Sequence, residues 1–384
     1  MSPVMEYVVA ALLLSITLLA ATTHFMPGLL RQVMYTYEGQ LQVEAQKIVD
    51  QLLLSPGDPP DWGLSATYPD DVKALGLALA GGKPYELDPN KLVRIYECGL
   101  EDLSGLTLVS SRDMEEILGI HGRYAFSIRL TPVLNVSITK LSDQSYEVRV
   151  ATSDGVPVPN AKVTGILVSA YLDDMDLDDA YDTVFYSETS YEAVSGYDGR
   201  AILRLQESSG DDTPIASLVV VYVDFYGIKT VAYYEEGVVT LGVILGNDLY
   251  VGHVEEFFNR TGKRGGGAIH LYPAAAVITP VSVEPLILSR CRLLPITPPG
   301  SARTYYRFTL EGLEDDAVMV AFLVKNRGEY RVAVAHRVYQ ALEIGSPNLS
   351  GSPVPRGVHI RRIVNVGGYL YYFDFTMWRT VEEG

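Results

Sequence analysis

Residues 7–25 read YVVAALLLSITLLAATTHF and carry no formal charge. As a helix rising about 1.5 Å per residue, such a run extends roughly 28 Å, close to the hydrocarbon thickness of a bilayer. The pattern therefore predicts a long N-terminal membrane-spanning helix. The stretch before it, MSPVME, has no Lys or Arg, and LLAATT offers no A-x-A site, so the expectation is a retained helix and not a cleaved secretory signal. Past Pro27 the pattern changes. Leu30, Met34, Tyr37, Leu41, Ala45, Ile48 and Leu52 recur every three or four residues, which marks one apolar stripe on an amphipathic helix. Ser55-Pro56-Gly57-Asp58-Pro59-Pro60 ends it, because the prolines remove donors and the glycine permits a reversal.

Further along, helical-looking stretches at 69–80 and 111–118 and a strand-like RYAFSIRL at 123–130 predict a small α/β unit against the amphipathic helix. Period-two alternation then takes over, in Leu134, Val136 and Ile138 and again in Tyr146, Val148 and Val150. DGVPVPNAKVTG at 154–165, YDGRAILRL at 197–205 and SLVVVYVDFYGIKTVAYY at 217–234 follow. Asp198-Gly199 supplies a turn that admits positive φ, and the order resembles the immunoglobulin-like or carboxypeptidase-regulatory-like sandwich of surface proteins. After 237, apolar strands such as AVITPVSVEPLIL, VMVAFLVK, YRVAVAHRVY and GGYLYYFDFTMW alternate with Gly-, Pro- and Ser-rich loops. The expected fold is mainly β with a long N-terminal membrane-spanning α-helix (1–26), an amphipathic extension with a small α/β unit (27–130), an Ig-like β-sandwich (131–236) and a C-terminal all-β domain (237–384).

Composition narrows the function classes. A chain of 384 residues, 48% hydrophobic and 20% charged, has enough apolar material for two or three cores. Its formal charge of −17 repels phosphate backbones, which excludes nucleic acid as an expected partner. Cys98 and Cys291 show no ligand spacing; they form either one long-range bridge or, the preferred reading, two buried thiols.

Asp174, Asp176 and Asp178 stand at the spacing that begins a calcium loop, but Asp179 replaces the required glycine and Phe185 the bidentate glutamate. They remain weak calcium candidates beside the plainer reading of a solvated acidic loop. GKRGGG at 262–267 lacks the phosphate-loop pattern, and His253 with Glu255 and Glu256 lacks a second histidine at helical spacing. With no nucleophile elbow or paired-carboxylate motif in view, the expectation is a protein that is not an enzyme and needs no cofactor. Asn135, Asn259 and Asn348 begin Asn-x-Ser/Thr triplets and are candidate N-glycosylation acceptors. The aromatic run Tyr369, Tyr371, Tyr372, Phe373, Phe375 and Trp378 is read as sheet packing before subunit contact.

Glu6 ahead of the apolar run, Pro27 near its end, IVDQLLLSPGDPPDWG at 48–63, GLALA at 76–80 and YELDPNKLVRI at 85–95 together resemble archaeal type IV pilin-like membrane proteins. The resemblance covers about the first third of the chain. It implies that Glu6 pairs with a neighbouring subunit's N-terminal amine during assembly; a plain N-terminal capping role is the competing account. The absence of a basic leader ending in Gly departs from the family and points to an accessory protein. The expected function is thus a membrane-anchored extracytoplasmic structural protein, pilin-like or a pilus-accessory surface component. It would be single-pass in the cell membrane with the large C-terminal part outside, its partners being the membrane and other proteins or its own copies through the N-terminal helix. The alternative is a non-polymerising adhesin or ligand-binding ectodomain, and a tethered hydrolase would need a convergent acid/base pair.

Overall fold

The computed structural model describes residues 3–20, 26–95, 106–142, 144–172, 183–205, 214–234, 242–251, 270–295, 304–313, 319–326, 329–337, 341–345 and 357–380. Two helices open the chain, α1 (Pro3–Ala20) and α2 (Met26–Leu54), followed by the short α3 (Trp62–Ser65), α4 (Pro89–Ile95) and α5 (Ser111–Ile117). The remainder is mainly β. In chain order the strands are β1 (Glu86–Leu87), β2 (Tyr124–Pro132), β3 (Leu134–Ser142), β4 (Ser145–Thr152), β5 (Lys162–Leu172), β6 (Thr183–Val194), β7 (Arg200–Arg204), β8 (Ala216–Phe225), β9 (Ile228–Tyr234), β10 (Gly242–Leu245) and β11 (Asp248–Val251). They continue as β12 (His270–Ile278), β13 (Val283–Pro295), β14 (Thr304–Glu311), β15 (Met319–Asn326), β16 (Glu329–His336), β17 (Leu342–Gly345), β18 (Val358–Val366) and β19 (Tyr369–Arg379).

The helical start differs from expectation. Among the described residues no helix is long and apolar enough to cross a membrane. α1 ends at Ala20 and includes Pro3 and Glu6; its uncharged part, from Tyr7 onward, extends about 21 Å, short of the roughly 30 Å hydrocarbon core. Residues 21–25, which the full apolar run needs to reach that length, lie outside the described residues. The membrane-spanning helix expected at the N-terminus, and the single-pass cell-membrane localisation that rested on it, do not hold.

The C-terminal half of α2 lies across a five-stranded sheet of order β1-β18-β19-β2-β17. Its stripe of Leu41, Ala45, Ile48, Val49, Leu52 and Leu53 is buried against Phe126 and Ile128 of β2 and Phe373, Phe375 and Met377 of β19. The alternation of β19 explains the choice of face, since residues two apart share one side of a strand. β18 turns into β19 through Gly367 and Gly368, both at positive φ, as a two-residue hairpin demands. Of residues 237–384, then, β10–β16 build one structure while β17–β19 complete the sheet beneath α2, so the C-terminal stretch is not a single all-β unit.

The loop after α2 is pinned by contacts that leave no room for other residues. A Cβ at Gly57, whose φ is +84°, would lie 2.6 Å from the Ala74 carbonyl oxygen, and the buried Trp62 donates its indole N–H to the Gly76 carbonyl at 2.9 Å.

Strands β3-β4-β7 form one antiparallel sheet and β6-β5-β8-β9 another, and the two share a core of Val148, Val150, Val163, Leu167, Leu203, Val219 and Val221. The second sheet is buried on both faces. Ile166, Val168, Leu218, Val220 and Tyr222 point the other way and pack on Ile278, Ala321, Leu323 and Val334, with the Tyr222 hydroxyl donating to the Ile278 carbonyl at 2.6 Å. Burial on both sides is why β8 reads as an unbroken apolar run with no alternation.

Strands β10-β11-β14-β13-β12-β15-β16 close into a barrel. Closure comes from a short parallel contact, Gly242 with Ala335 and Val243 with His336. A Cβ on Gly242 would lie 2.8 Å from both the Ala335 methyl and the Phe322 ring, so glycine is what lets the seam meet. Ile244, Leu249, Val251, Val277, Phe308, Leu310, Phe322 and Val324 fill the interior, which makes it a packed core and not a channel. α4 ties this barrel to the first unit: Val93 packs with Val243 and Tyr250, and the Asn90 side chain accepts the Gly246 N–H at 2.8 Å.

Candidate functional site

The most unusual surface is α1. Leu12, Leu13, Leu14, Ile16, Leu18 and Leu19 are each more than half exposed, Leu14 at 70%. At about 100° per residue, three consecutive leucines already spread over more than half the helix circumference, so the apolar surface surrounds α1 and is not confined to a stripe. Its polar side chains add nothing outward. Ser15 donates its hydroxyl to the Ala11 carbonyl at 2.8 Å and Thr17 to the Leu13 carbonyl at 2.9 Å, which satisfies both within the helix. Glu6 is the single charged residue of α1 and lies in its first turns.

A second distinctive surface is the outer face of the five-stranded sheet. Pairing register places Arg361 of β18 beside Asp374 of β19, Asp374 beside Arg129 of β2, and Arg129 beside Glu343 of β17. Alternating charges therefore run across four strands. Arg361 holds Asp374 through two bonds, Nε to Oδ1 at 2.6 Å and Nη2 to Oδ2 at 3.1 Å, and His359 Nε2 stands 3.1 Å from the same Oδ1. The carboxylate hydrogen bonds and charge raise the Arg361 pKa above its ordinary value, and Arg361 also lies over the Tyr372 ring at 4.9 Å. Arg129 and Glu343 meet at 2.9 Å in the open, a pair of small energetic weight.

Lys91 is the buried cation of the first unit. Its ammonium donates to the carbonyls of Pro56 at 2.9 Å and Ala78 at 2.7 Å, with Asp88 at 3.8 Å. Burial lowers its pKa and the Asp88 charge opposes that shift. Here Lys91 acts as a clamp that joins α4 to the two loops packed against it.

Most of the residues singled out from sequence lie outside the described residues. Glu6 has a described backbone only, and its side chain lies outside the described residues. Asp174, Asp176 and Asp178, Asn259 and Asn348, Cys98, His253 and the 262–267 glycines also lie outside them, while Cys291 has only its backbone described, on β13. Asn135 is exposed on β3. Tyr371, Phe373, Phe375 and Trp378 are buried, which makes that aromatic run packing material. Among the described residues no three His, Cys, Asp or Glu side chains gather as a metal site. Sequence reasoning missed both the charge row and Lys91: the row exists only through long-range register, and a lysine on a short helix carries no outward sign of burial.

No family model matches the chain, and no curated protein matches it. Among solved structures it is similar to the I-band fragment I67–I69 from titin, at 8% identity over 66% of this chain and 89% of that one, with a TM-score of 0.14. A likeness at that score carries no argument about fold or role.

Proposed function

We propose that the chain is a non-enzymatic structural subunit, pilin-like in plan, in which α1 packs laterally against α1 of other copies and the β units are carried as a rigid head. The observation that carries this reading is the apolar surface of α1, exposed at Leu12, Leu13, Leu14, Ile16, Leu18 and Leu19. A helix that is hydrophobic all round is stable only when covered, and an apolar surface of this kind marks an interaction site. Neighbouring copies offer the same surface, so side-by-side packing covers each with the other. Glu6 then sits near the start of the shared bundle, where an unpaired carboxylate is costly and a cationic group from the next copy relieves that cost. The head fits the role because its units are joined by buried contacts and its barrel is filled.

Crosslinking tests the arrangement. In a background with Cys98→Ser and Cys291→Ser, Leu14→Cys is expected to give covalent dimers with a short thiol crosslinker, whereas Val281→Cys at the exposed β12–β13 hairpin gives none. Equal yields at both positions, or none at Leu14→Cys, would overturn the proposal.

A further inference from the structure

Over His359–Ile363, β18 has no strand on one side among the described residues. β19 pairs with it along its whole length, but on its other side, among the described residues, only the two-residue β1 reaches it, at Asn365 and Val366. In an antiparallel pair alternate residues bond to the partner strand, and those between direct their N–H and C=O away. Asn365 donates its N–H to the Tyr85 carbonyl at 2.8 Å, on the β1 side. Ile363, Arg361 and His359, spaced by two from it, therefore turn their backbone groups to that same open side. The Arg362 guanidinium donates to the Arg361 carbonyl at 3.0 Å, where a neighbouring strand's N–H would otherwise sit. All three residues are exposed.

Charge then selects what can pair there. β18 reads VHIRRIVNV, with His359, Arg361 and Arg362 and no acidic residue, in a chain whose formal charge is −17. Antiparallel pairing of two such edges about Arg361 would set Arg361 opposite Arg361, and like charges directly opposite are destabilising. An acidic strand meets the opposite condition. Asp374 occupies only Nε and Nη2 of Arg361, so further guanidinium donors are left for a second carboxylate.

We infer that the β18 edge binds an extended acidic segment of another polypeptide by strand addition. The backbone of that segment pairs with His359, Arg361 and Ile363, and its alternate acidic side chains lie beside His359 and Arg361. This surface is distinct from α1 and does not depend on the assembly role given to it.

The test uses the full chain and a labelled eight-residue peptide of alternating Glu and Val, with a Lys-Val counterpart, read by fluorescence anisotropy and amide hydrogen exchange. Saturable binding of the Glu peptide and none of the Lys peptide are expected, with exchange at residues 359, 361 and 363 slowed at least tenfold and that at 360, 362 and 364 unchanged. Ile363→Pro removes an outward N–H that β19 does not use, and should weaken binding at least tenfold. Should that variant fail to fold, the exchange pattern of the unaltered chain decides. No binding of the Glu peptide, or binding that leaves those three amides unslowed, would show that the charges only guard the edge.

Discussion

Helices α1 and α2 are consecutive in the chain and both rich in leucine, yet they meet opposite fates. In α2 the apolar positions fall three or four apart, and Leu41, Ala45, Ile48, Val49, Leu52 and Leu53 are buried on the sheet. In α1 apolar residues occupy every side, and those with described side chains are exposed. The difference is one of period and not of hydrophobicity: a stripe can be satisfied by one sheet face, whereas a helix apolar all round needs partners on several sides. The C-terminal half of α2 is therefore covered by its own chain, while the described apolar side chains of α1 are not.

Charging α1 should separate the two most sharply. Leu13→Glu with Leu18→Glu is expected to abolish association by size-exclusion chromatography while leaving the melting temperature of the head unchanged. Leu52→Ala should do the reverse, costing about 2–5 kcal/mol of unfolding free energy in denaturant titration through the cavity it leaves, with association retained.

Lys91→Met, which keeps the stem but leaves the buried Ala78 carbonyl and the half-buried Pro56 carbonyl without this donor, should cost about 2–3 kcal/mol on the same titration. Acid probes a third place. Burial holds His336 down to about 4 from 6.5, so the unfolded chain binds the extra proton first. Stability is then full above pH 6.5 and is lost as pH falls toward 4, on the order of 3 kcal/mol; His336→Gln should flatten that slope without altering association. The smallest effect is expected at α1's charge: Glu6→Gln should weaken association by about tenfold, equivalent to about 1.4 kcal/mol.

Local pattern and long-range pairing were not equally legible. The stripe of α2 and its stop at Ser55-Pro56-Gly57 follow from spacing and turn chemistry, and α2 ends at Leu54. The alternations of Val136 and Val148 likewise lie on adjacent antiparallel strands. Closure of the barrel through Gly242 and Ala335 was not legible, because a two-residue parallel seam between distant segments leaves no periodicity. Nor does anything in GGYLYYFDFTMW say that its partner is residues 124–132. The charge row of Arg361, Asp374, Arg129 and Glu343 was hidden for that reason, since its members become neighbours only once the register is fixed. The expected membrane span failed for a different cause: the uncharged run covers 7–25, whereas the described helix is Pro3–Ala20 and no described helix is long and apolar enough to cross a membrane.

Sedimentation velocity of the unaltered full chain over a hundredfold concentration range tests the central claim most directly. The account predicts discrete species at multiples of 42.2 kDa whose proportion rises with concentration. A single 42.2 kDa species throughout the range would contradict it.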